Sequence, residues 1–170
     1  DGQDKVLNAP DETTRWWLYR ALKGATLRSE TWAQGESEAP YLCSHQRMQV
    51  RLVQAGDMPV ALALGLEQVA SGYEQKADDP VVVQKVTLVY DGYGVPLQQV
   101  SVAYPRRASH PLSPYPANLP ADAWDNTSDE QQQMLRLTEE LGSVIHLTDP
   151  QGWRLGLPDT RCSNQLVYSS

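Results

Sequence analysis

His45, His110 and His146, with Cys43 and Cys162, are the side chains of this chain suited to act as base, nucleophile or soft metal ligand near neutral pH. Their spacing gives that chemistry little support. No two histidines stand in an H-x-x-x-H or H-E-x-x-H arrangement, and neither cysteine has a second Cys or His at metal spacing. A zinc site would need remote segments to converge with no local pair to anchor it. The histidines therefore read as structural or surface residues. Cys43 and Ser44 lie beside His45 but lack the G-x-S-x-G elbow, and a shared strand face alone does not make a nucleophile and its base. Asp78-Asp79-Pro80 is a turn rather than a carboxylate pair, because adjacent strand residues point to opposite faces. Gly92 and Gly94 form G-x-G inside a hairpin, not between strand and helix, which disfavours a phosphate cradle. Arg106-Arg107 is a short basic pair that solvates or pins the proline-rich stretch around it. Trp16-Trp17 and the tyrosines fit packing anchors, with stacking on a sugar or a base as the alternative. These readings name no catalytic residue, no metal site and no cofactor, and leave any binding residues unassigned.

The elements that must position these residues are set by composition and pattern. The chain of 170 residues is 41% hydrophobic and 21% charged, enough to fold as one domain or one slice of a larger one. Its net charge of −7, from 14 basic against 21 acidic residues, argues against nucleic acid or an anionic membrane as a partner. No window is apolar enough to span a bilayer, and the first ten residues show no signal peptide. For the cysteines two buried free thiols are expected, with a single disulfide as the alternative.

Short apolar runs between recurring turn signals predict a mainly β chain. Residues 1–14 read as a flexible N-terminal segment, 15–104 as a region of β-hairpins, 105–127 as a proline-rich strap and 128–170 as a short helix followed by strands, all in one structural domain. Residues 15–32 alternate like a hairpin broken at Lys23-Gly24, although Asp11 could instead cap a short helix over 12–22. Residues 41–54 alternate as a strand, and 81–90 with 95–104 form a hairpin around Asp91-Gly92-Tyr93-Gly94. Ser128 with Gln131 fits a capping box. Residues 134–148 fit either a helical stripe or two strands broken at Gly142-Ser143, and the last stretch reads as strand, turn, strand.

The hairpin YDGYGVPLQQVSVAYPRR at 90–107 resembles tyrosine-aspartate (YD, or RHS-type) repeat hairpins, in the form found in the B component of Tc insecticidal toxin complexes. The blocks RALKGATLRSETW at 20–32, RMQVRLVQ at 47–54, SDEQQQMLRLT at 128–138, HLTD at 146–149 and LGLPDTR at 155–161 resemble the middle/C-terminal region of that component in the same order. The resemblance favours strands over 134–148. It implies a mainly β fold of antiparallel RHS/YD-type hairpins with one or two short helices, forming a slice of a larger β-shell. It also implies that the chain is no enzyme. Its role would be a structural segment of the shell that encloses a cytotoxic effector for delivery to host cells. The implied partners are the C component and the remainder of the B component, and indirectly the pore-forming A component. The implied location is secreted or extracellular, within the complex. An isolated chain of this kind is expected to self-associate through strand edges. Two other classes stand beside this expectation. One is a module binding a host glycan or protein through Trp16, Trp17, Trp32 and Tyr93, and the other a small hydrolase built on His45 or His146 with a carboxylate.

Overall fold

The computed structural model describes residues 9, 11–35, 38–73, 77, 80–106 and 130–167. One helix, α1 (Glu12–Ala21), precedes seven strands: β1 (Arg28–Thr31), β2 (Leu42–Gln54), β3 (Val60–Gly72), β4 (Val81–Tyr90), β5 (Pro96–Ala103), β6 (Arg136–Leu147) and β7 (Arg154–Leu166). A single turn of 3-10 helix, Glu130–Gln133, leads into β6. The strands form one sheet in sequence order, every neighbour antiparallel. This is the mainly β, hairpin-built fold that the sequence predicts.

The hairpin reading of residues 15–32 gives way to its alternative. Asp11 caps α1, its Oδ1 accepting from the Thr14 N–H at 2.6 Å and its Oδ2 from the Thr14 hydroxyl at 2.9 Å. Glu12 in the first turn and Arg20 in the last suit the helix dipole. The helix packs on β2 and β3 and buries Leu18. Only residues 28–31 of that stretch form a strand.

Two further differences lie at the other end of the chain. Residues 136–147 run as one strand through Gly142-Ser143, because both neighbours, β5 and β7, pair with it across that point or up to it. The final stretch is also one strand, not two around a turn. Its β7 skips register twice against β6, once at Asp159 and once at Leu155-Gly156, so the glycine makes a bulge where a turn is expected. Pro158 is tolerated because it stands beside the register skip at Asp159, a bulge where the ladder is already interrupted. The capping-box residue Ser128, His110 and almost all of the proline-rich strap lie outside the described residues.

Register assigns the sheet faces, since directly opposed residues share a side. Arg47, Glu67, Val86, Val100, Glu139 and Asn164 lie on one face, and Lys85, Ser101, Thr138 and Gln165 on the other. Among the described residues the buried hydrophobic side chains are Leu18, Ala39, Cys43, Val50 and Leu64, and none is less than 2% exposed. A layered domain of this length buries many more, since two packed faces share one core. Here the described residues make a single sheet with one helix laid on β2 and β3.

The sheet is held across its strands by polar side chains as well as by its ladder. Arg47 donates to Glu67 at 2.8 Å, Gln84 donates to the same carboxylate, and the Tyr104 hydroxyl reaches Gln84 at 2.5 Å. Further along, Gln98 and Asn164 flank Glu139 at 2.6 and 3.4 Å. No described helix is long and apolar enough to cross a membrane.

Candidate functional site

The turn between β4 and β5 is built by Asp91. Its Oδ1 accepts from the N–H groups of Tyr93 and Val95, each at 2.8 Å, in the manner of an Asx turn. Its own N–H donates to the Val95 carbonyl at 3.0 Å. Gly94, at φ +85, completes the turn in the left-handed region. A Cβ there would stand 3.0 Å from Leu64 Cδ2 and 3.3 Å from Leu62 Cδ1, so the hairpin tip lies against the side chains of β3.

That placement follows from a break in pairing. β3 and β4 pair only from Gly72 opposite Val81 to Glu67 opposite Val86. Against β2, the β3 register skips Leu66, a bulge. Past the bulge two side-chain contacts hold the splayed strands. Tyr90 donates its hydroxyl to the Gly65 carbonyl at 2.5 Å, and Arg51 on β2 donates to the Asp91 carbonyl at 2.6 Å.

The second oxygen of Asp91 reaches across the sheet. Oδ2 lies 2.7 Å from His146 Nε2 on β6, and the two side chains are only 13% and 18% exposed. On the other side of the ring, the Gly156 N–H donates to Nδ1 at 3.1 Å. That N–H belongs to the bulge in β7, where Gly156 takes φ +72. The Tyr93 ring packs on the imidazole with centroids 4.5 Å apart. The carboxylate and the imidazole thus join the β4–β5 turn, β6 and β7, and Arg51 ties β2 to the same turn through the Asp91 backbone carbonyl.

The tautomer follows from the partners. Nδ1 accepts a backbone N–H, so it carries no proton, and Nε2–H is the donor to Asp91. Burial pushes the Asp91 carboxyl up. The Val95 N–H, the His146 ring and the Tyr93 N–H together outweigh it and hold the group below its ordinary range.

This arrangement positions strands. Both ring nitrogens of His146 are turned to protein partners, Nε2 to Asp91 and Nδ1 to the Gly156 N–H, so neither is presented to a substrate. His45 meets Cys43 Sγ at 3.3 Å, but that thiol is buried. Ser44, on the opposite face, accepts from Gln68 at 3.3 Å. His146 does meet a carboxylate, Asp91, as the hydrolase reading requires, but none of the described contacts of that pair is to a Ser, Thr or Cys, and His45 on β2 has Cys43 as its partner. Among the described residues no three His, Cys, Asp or Glu side chains cluster to hold a metal. Both cysteines are free. Cys43 is buried as expected, whereas Cys162, on the outermost strand, is exposed.

The aromatics divide. Trp16 and Trp17 pack edge to face at 5.0 Å with the Arg20 guanidinium over both rings, and Tyr93 packs on His146. Trp16 and Trp32 remain 54% and 51% exposed, and the Trp32 indole N–H donates to Glu30 at 2.9 Å. That bond, with the Arg28 guanidinium, holds the Glu30 carboxyl below its ordinary range.

Sequence reasoning identified the Asp91 turn but missed its partners His146, Arg51 and Gly156. The usable signal was the pair of segments HLTD and LGLPDTR. Each carries one half of a contact that only the strand order brings together.

A model of the insecticide toxin TcdB middle/C-terminal region matches residues 17–157. A comparison with curated protein sequences gave no match. Among solved structures, the chain is similar to the crystal structure of TcdB2-TccC3 without the hypervariable C-terminal region, with TM-score 0.80, 39% identity and 95% of this chain covered. It is similar to the crystal structure of TcdB2-TccC3-Cdc42, with TM-score 0.81, 40% identity and 95% covered. The Tc holotoxin pore of Photorhabdus luminescens, carrying a TccC3 mutation, matches with TM-score 0.81 and 40% identity over 99% of this chain. In each case the match spans 8% of the other chain. The strand order, the tied hairpin and these likenesses agree, and the chain belongs to the family of the insecticide toxin TcdB middle/C-terminal region.

Proposed function

We propose that this chain is a structural, non-enzymatic segment of a toxin-complex B component, one slice of a hollow RHS-type wall that encloses a cytotoxic polypeptide. The observation that carries the reading is the single open sheet: seven strands in sequence order, few buried side chains, and strands joined by side-chain ties. A wall needs this, because its faces look onto a lumen and an exterior while its edges continue into neighbouring strands. The likeness to structures named for TcdB2-TccC3 and a Tc holotoxin supports the same reading. The partners are then the rest of the B component and the C component, and through them the pore-forming component. The complex acts outside the cell that makes it.

The test is a graft. The matching segment of TcdB2 is replaced by this chain, or deleted, and each form is co-expressed with TccC3. The graft should give closed shells by electron microscopy with the enclosed polypeptide resistant to protease, and the deletion should not. Protection that survives the deletion contradicts the proposal.

A further inference from the structure

We infer that His146 is a proton-operated latch between β6 and β7. Its Nδ1 accepts the Gly156 N–H at 3.1 Å, and its Nε2–H already donates to Asp91 at 2.7 Å. A second proton therefore has one place to go, Nδ1, and once there the ring and the Gly156 N–H are two donors facing each other. The contact to β7 is lost while the contact to Asp91 becomes an ion pair.

The surroundings make the effect one-sided. The groups facing the ring are the Asp91 carboxylate and the Tyr93 ring from the β4–β5 turn and the Gly156 backbone from β7, and Arg51 from β2 approaches through the Asp91 carbonyl. Asp91 stays ionised in the range where imidazoles titrate, because its carboxyl is held below the ordinary range. The turn side of the joint thus keeps its charge partner. On the β7 side Gly156 has no ladder partner on β6, because it sits where the β6–β7 register skips. Acidification therefore loosens the β7 bulge and leaves the hairpin turn intact.

The test uses the 170-residue chain. Imidazole nitrogen spectra and amide hydrogen exchange, corrected for intrinsic rates, are followed from about pH 7.5 to about pH 5. At the upper end His146 should show the Nε2–H tautomer. As the ring gains its second proton, protection of the Gly156 amide should fall about tenfold or more, while the Tyr93 and Val95 amides bound to Asp91 keep theirs. His146→Asn, which retains an acceptor near the Nδ1 position without titrating, should hold Gly156 protection constant over the same range. Three results overturn the inference: an Nδ1–H tautomer at the upper pH, a ring that titrates with Gly156 protection unchanged, or a ring that does not titrate before the chain unfolds. All three are read on the unmodified chain, so they stand even where the Asn variant does not fold. None of them depends on shell assembly, so failure here leaves the shell proposal to its own test.

Discussion

The carboxylate of Asp91 and the imidazole of His146 meet at 2.7 Å across 55 residues of sequence. Around this pair the chain fastens strands that its ladder alone leaves apart. Tyr90 and Asp91 work in different directions, the tyrosine to β3 and the aspartate to β6. The tyrosine-aspartate pair of the hairpin is a fastening device, and the residues on either side of it follow from that role.

Replacing Asp91 should therefore cost more than replacing a surface carboxylate. Asp91→Ala leaves the Tyr93 and Val95 N–H groups and the His146 ring without their acceptor. The loss should be about 3 kcal/mol in urea unfolding, against nearly no change for the exposed Asp57→Ala.

The pH dependence of that loss has a definite sign. The folded-state carboxyl titrates lower than the unfolded one. Its stabilisation is complete above the unfolded value of about 3.9 and is lost as pH falls through the lower folded value. The stability gap between the unmodified chain and Asp91→Asn should accordingly be open above about pH 4 and close on further acidification. A gap that widens below that point would contradict the assignment.

Tyr90→Phe removes only the hydroxyl to the Gly65 carbonyl. Its cost should be about 1 kcal/mol, the worth of one partly exposed hydrogen bond. Exchange of amides in β4 beyond Val86, where pairing with β3 ends, should speed up more than exchange in the paired part.

Gly94 and Gly24 separate backbone strain from crowding. Both have similar φ, +85 and +82, but a Cβ at Gly94 meets Leu64 at 3.0 Å while Gly24 has nothing within 4 Å. Gly24→Ala should cost about 1 kcal/mol and Gly94→Ala about 2 kcal/mol or more. Equal costs would show that the hairpin tip does not sit on β3.

The two thiols should differ in reactivity. Cys162 is exposed and Cys43 buried, so a thiol reagent should modify Cys162 in the folded chain and reach Cys43 only on unfolding. Peptide mapping after brief labelling distinguishes them.

How much of this was legible follows the physics of each element. β2, β4 and β5 were readable because alternation and β-branched residues act locally. α1 was ambiguous, because RWWLYRA alternates acceptably as a strand; the Asp11 cap and the burial of Leu18 on β2 and β3 decide it. Gly156 and Pro158 looked like a turn because the sequence cannot say that they lie at two register skips of one strand, where a bulge and a missing N–H are tolerated. The Asp91–His146 joint was hidden for a similar reason. Its halves are distant in sequence and each looks ordinary alone. What brings them together is the path of the strands between.

The proposal that this sheet is a slice of wall rather than a closed domain is tested most directly by the size and fold of the isolated chain, from light scattering after size exclusion together with circular dichroism. A β-rich species that self-associates with rising concentration is predicted, because its outer strands lack neighbours. A compact monomer, stable and unchanged with concentration, would contradict it and bring the exposed rings of Trp16 and Trp32 forward as the surface of a binding module.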